Sequence, residues 1–128
     1  MPIVYRIQDE DGRGPWRTGF SKKWVEKRED NSNLLTIYGD FRDSFYDDEE
    51  LFELFIMRIM SHSFYGSGCE SLVKLRRWFT ESEYNTLKNY GYNCVELDVE
   101  KILLSSEIQC IFERKKPLNI CAKIIDLY

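Results

Sequence analysis

The sequence predicts one α+β domain over residues 1–128, built from a small mixed or antiparallel sheet and about three helices. Three observations carry that expectation. Residues 3–7, 95–99 and 108–113 alternate with a period of two, as strands do. Stretches at 51–60, 70–79 and 80–91 have helical spacing or helix-end signals. Composition supplies the core: 43% hydrophobic and 15% aromatic residues, with eight Phe, eight Tyr and three Trp. Seven Gly and three Pro exclude a collagen-like or low-complexity chain.

The elements follow in order. Ile3, Tyr5 and Ile7 share one face of a first strand, and Val4 and Arg6 share the other. A guanidinium beside Val4 is expected to be partly buried, which demands an acidic or anionic partner. The polar run Asp9-Glu10-Asp11-Gly12-Arg13-Gly14-Pro15 makes a turn. A phosphate cradle is the weaker reading of its two glycines, because Pro15 removes an amide. Trp16, Phe20 and Trp24 recur every four residues, so they fit one side of a helical or turn-rich segment. Residues 51–60 are apolar around most of a helix and are expected to lie inside the core.

Residues 63–69, SFYGSGC, read as a loop with two glycines. Leu72, Leu75 and Phe79 then share a helical face. Thr80 and Glu83 form a capping box for a further helix, which Gly91 ends in the left-handed C′ position. Val95, Leu97 and Val99 alternate with Glu96 and Asp98 in a half-buried strand. A turn through Ser105, Ser106 and Glu107 leads to a strand over 108–113, and Ile120, Ile124 and Ile125 supply a last one.

Cys69, Cys94, Cys110 and Cys121 contain no C-x-x-C pair, so neither a zinc site nor another metal centre is expected. Four buried or half-buried thiols in a reducing cytoplasm are the expectation. His62 is the single histidine, and no G-x-S-x-G, P-loop, G-x-G-x-x-G or H-E-x-x-H motif accompanies it. The first residues lack the basic region and apolar stretch of a signal peptide, and no apolar run reaches the ~20 residues of a membrane span, so no membrane partner is expected.

The net charge of −4 excludes a wholly basic nucleic-acid binder, yet it sums unlike parts. Residues 13–28 carry +5, with Arg13, Arg17, Lys22, Lys23, Lys27 and Arg28 against Glu26. Residues 39–54 carry −6, with Asp40, Asp43, Asp47, Asp48, Glu49, Glu50 and Glu53 against Arg42. The acids at 47–50 stand where a helix dipole favours them, and they also form a candidate interaction surface. Direct nucleic-acid binding through 13–28 is the weaker expectation, because the acidic run is available to neutralise it.

Five segments carry a resemblance over nearly the whole chain: VYRIQDEDGRGPW, GCESLVKLRRWF, ESEYNTLKNYGY, EIQCIFER and the terminal IIDLY. Together they resemble a family of small proteins of bacteria, prophages and phages, which implies a mobile-element setting in a bacterial cytoplasm. With the bipolar charge, this points to a host protein or nucleoprotein complex as partner. One expected role is inhibition of a host defence complex by the acidic surface, with Trp16 and Trp24 as anchors and no cofactor.

A more remote resemblance is to the ADP-ribosyltransferase superfamily. It rests on Arg6 of the first strand, the Ser-x-Ser of Ser61 and Ser63, and Glu107-Ile108-Gln109 near the end. That resemblance implies NAD as cofactor, with Arg6 on its pyrophosphate. Ser61 or Ser63 would support the nicotinamide-side strand, and an acid would stabilise charge on the ribose. Gln109 stands where the pattern has Glu and supplies no charge, which leaves Glu107 as the acid.

Overall fold

A computed structural model describes residues 1–16, 19–26 and 63–128 of the chain. The strands are β1 (Ile3–Gln8), β2 (Phe64–Gly68), β3 (Asn93–Asp98), β4 (Lys101–Ser105), β5 (Cys110–Arg114) and β6 (Lys123–Ile125). The α-helices among the described residues are α1 (Leu72–Trp78) and α2 (Glu81–Asn89), and a 3-10 turn covers Ser21–Lys23. The α+β class is as expected, but the strands form two antiparallel sheets, ordered β1-β3-β6 and β2-β5-β4. The expected helix over 51–60 lies outside the described residues.

β1 pairs with β3 along its whole length, from Ile3 opposite Asp98 to Gln8 opposite Asn93. This register places Ile7 beside Cys94 on one face and Val4 beside Leu97 on the other, so both faces of the sheet bury apolar groups. On one side, Ile7, Cys94 and Leu127 meet Leu75, Tyr84 and Leu87 of the helices. On the other, Val4, Val95 and Leu97 join Cys110 and Phe112 of the second sheet. One isolated bridge ties the sheets: Tyr5 and Cys69 exchange backbone hydrogen bonds of 2.8 Å in each direction. Gly68 permits that approach, since a Cβ there would lie 2.8 Å from the Tyr5 carbonyl oxygen.

The helix ends follow local chemistry. The Thr80 hydroxyl accepts from the Glu83 amide at 3.1 Å, and the Glu83 carboxylate accepts from the Thr80 amide at 2.9 Å. Gly91 has φ +87°, and the Gly91 and Tyr92 amides return to the Lys88 and Leu87 carbonyls. That is the Schellman arrangement, and it requires the left-handed residue that Gly91 provides.

One expectation is corrected, and one unanticipated strand joins it. The glycine-containing stretch read as a loop is β2, because β5 pairs with each of its residues from Phe64 opposite Arg114 to Gly68 opposite Cys110. Residues leading into the Ser105 turn are themselves β4, a half-buried strand with an irregularity between Ile102 and Leu104. Its continuous apolar Ile102-Leu103-Leu104 run has no period to betray a strand.

Candidate functional site

Arg6 occupies the centre of β1 on the same face as Val4, and its side chain is only 9% exposed. Its guanidinium passes over Gly66 of β2, where a Cβ would run into Nη1, and beside Gly14, whose Cβ would lie 3.3 Å from Nη2. Two glycines thus leave the room that the guanidinium fills. Nη2 donates a long 3.4 Å bond to the Gly12 carbonyl, and the buried Nε has no hydrogen-bond partner. Burial pushes the guanidinium down from its ordinary value to about 10, with Asp9 working the other way. Among the described residues no carboxylate stands in ion-pair range of Arg6. Asp9 is committed elsewhere: its carboxylate caps the Asp11 and Arg13 amides and pairs with the Arg13 side chain at 3.5 Å. The acidic partner expected inside the sheet is therefore absent among those residues.

Gln8 follows Arg6 on the same face and is equally inaccessible. Its Nε2 donates to the Leu118 carbonyl at 2.8 Å, while its buried Oε1 has no partner. The Leu118 carbonyl requires a donor, so the amide orientation is fixed and Oε1 is the atom left over. Gln8 was not among the residues that motifs singled out. The i, i+2 spacing from Arg6 was the available signal, as was the matching i, i+2 pair Gly66 and Gly68.

A second feature is aromatic. Trp16 is 54% exposed, although its ring stands edge-on to Trp24 at 4.6 Å and to Trp78 at 6.2 Å. Trp24 itself is 2% exposed and donates its indole N–H to the Pro15 carbonyl at 3.2 Å. The two rings, which an α-helix would hold about 12 Å apart, meet because the described part of the segment is turn and 3-10, and only Trp16 is presented outward. Lys22 and Lys23 are exposed on the adjoining 3-10 turn, whereas Arg13 is taken up by Asp9 and Asp11.

Among the described residues, those implied by the transferase resemblance (Arg6, Ser63, Glu107 and Gln109) are not brought to one place. Ser63 precedes β2 and accepts from Lys115 Nζ at 3.3 Å, beside the Phe64–Arg114 end of the ladder. Glu107, exposed, and Gln109, buried, precede β5 at the Gly68–Cys110 end. The ladder between these ends has five paired positions, four steps and about 14 Å of strand. Arg6 lies between them at Gly66. Ser61 and the acidic residues Asp40, Asp43, Asp47, Asp48, Glu49 and Glu50 lie outside the described residues.

Three thiols are chemically muted. Burial pushes Cys69, Cys94 and Cys110 up to about 12. Cys121 departs from the expectation of burial: it is exposed, at φ 55° in the turn before β6. No group of three His, Cys, Asp or Glu among the described residues is placed to hold a metal ion. No helix among them is long and apolar enough to cross a membrane.

Fold and site together define a small two-sheet α+β protein with a sequestered arginine and a presented tryptophan. The family described as the bacteriophage T4 Y00F protein matches residues 1–124, and the chain belongs to that family. No curated protein and no solved structure matches it. Membership agrees with the phage-type resemblance of the five segments, and no match bears on ADP-ribosyl transfer.

Proposed function

We propose that this phage-family protein works by binding rather than by catalysis, engaging a host protein or nucleoprotein complex in the bacterial cytoplasm and inhibiting it. The observation that carries the reading is Trp16. An indole that is 54% exposed yet braced by Trp24 and Trp78 is an anchor with little conformational freedom left to lose on docking. Charge supports the same reading. The −6 of residues 39–54 suits a basic, nucleic-acid-binding groove on the partner, where it would compete with the nucleic acid.

The test is capture of a host partner by tagged protein, followed by competition with nucleic acid. Trp16→Ala and the reversal of Asp47, Asp48, Glu49 and Glu50 to Lys should each abolish capture while the far-UV spectrum stays native. Capture retained by both variants refutes the reading. Salt-sensitive binding of the purified protein to single-stranded DNA, lost on reversing Lys22 and Lys23, would replace it with direct nucleic-acid binding.

A further inference from the structure

We propose that Arg6 and Gln8 form a binding niche for a hydroxyl-bearing oxyanion, a phosphate or the end of a phosphate monoester. The proposal rests on neither Trp16 nor the acidic segment.

The niche is defined by what two buried atoms require. Arg6 Nε–H can only donate, and Gln8 Oε1 can only accept. Both are buried without partners, and they belong to alternate residues of one strand, so they address the same side of β1. A ligand satisfying both must offer an anionic oxygen to the guanidinium and an O–H to the amide oxygen. A hydrogen phosphate carries both; a fully ionised sulfate carries only the first. The negative charge is the missing complement of Arg6, which has no ion-pair partner among the described residues.

The surroundings suit a small anion. Gly14 and Gly66 pack against the guanidinium and are half-buried, so at these two positions glycine backbone rather than a side chain covers it. Phe112 and Leu118 close the apolar side of the same space: a Cβ on Gly66 would lie 2.9 Å from one and 3.1 Å from the other. A guanidinium fork in such a setting reads planar or tetrahedral oxyanions better than an ammonium does.

The experiment is thermal unfolding of the full chain with inorganic phosphate, sulfate or chloride at matched ionic strength, with calorimetric titration of phosphate. The expected result is a phosphate-dependent rise in Tm that exceeds the sulfate effect. Arg6→Met should abolish the rise, and Arg6→Lys should weaken phosphate binding about tenfold or more. Gln8→Met should equalise phosphate and sulfate. If Arg6→Met fails to fold, Arg6→Lys carries the test. A second arm with phenyl phosphate separates the sources: equal affinity assigns the niche to a monoester, and lost affinity assigns it to free phosphate. Equal effects of phosphate and sulfate on the unmodified protein, no effect of phosphate, or a rise that survives Arg6→Met overturns the proposal.

Discussion

Gly66→Ala isolates the packing around Arg6. The new methyl would meet the guanidinium Nη1, Phe112 Cζ at 2.9 Å and Leu118 Cδ1 at 3.1 Å. The guanidinium ends a flexible chain and can swing away, but only by leaving the Gly12 carbonyl and its buried position, which costs about 1 kcal/mol. Phe112 cannot, since it is fully buried between the sheets and its ring has no free volume to enter. Overpacking of this kind costs about 1–3 kcal/mol, and the rigid ring places this site near 2. For a domain of this size the loss corresponds to a fall in Tm of about 8 °C. Urea denaturation followed by far-UV circular dichroism at pH 7 measures it directly. Arg6→Met in the same background removes the head group that opposes the methyl, so the two substitutions should couple by about 1 kcal/mol. A Gly66→Ala protein within about 0.5 kcal/mol of the parent, with no coupling to Arg6, refutes the placement of the guanidinium over β2.

Four further outcomes follow from the described residues. Thr80→Ala removes the reciprocal cap of α2 and should cost about 1 kcal/mol in urea denaturation, while Thr80→Ser retains most of it. Trp24→Ala should cost about 3–5 kcal/mol, against well under 1 for Trp16→Ala, because only Trp24 fills the core. The buried thiols make stability alkali-sensitive. Each ionises near 9 when unfolded but near 12 when folded, so the folded chain holds the extra protons. Their contribution is fully present below pH 9 and lost as pH rises toward 12, by at most about 1.4 kcal/mol per unit and thiol. Urea midpoints measured in reductant from pH 7 to 11 should therefore decline above pH 9, and a flat profile would contradict the burial. A thiol reagent under native conditions should label Cys121 alone, the other three reacting only on unfolding.

How far the sequence reached depends on the range of the forces involved. The Thr80–Glu83 box and the Gly91 stop were legible because their hydrogen bonds close within a few residues. β1 and β3 were legible because their alternating faces state which side is buried. β2 and β4 were not. Glycines at 66 and 68 and an unbroken apolar run at 102–104 carry no strand period, and both become strands only through pairing with β5. The functional residues divide in the same way. Burial of Arg6 could be read from its neighbour Val4, whereas the contact of Trp16 with Trp24 depends on the turn-rich path between them.

By itself, then, the sequence determined the α+β class, the helix ends, the separation of +5 and −6 charge, and the phage-family membership. Only the tertiary structure decided that the six strands among the described residues divide between two sheets, since alternation names a face and never a partner. It also decided the environment of Arg6. Gly66, Phe112 and Leu118 reach the guanidinium from distant parts of the chain, and what a buried charge meets depends on contacts that no local pattern encodes.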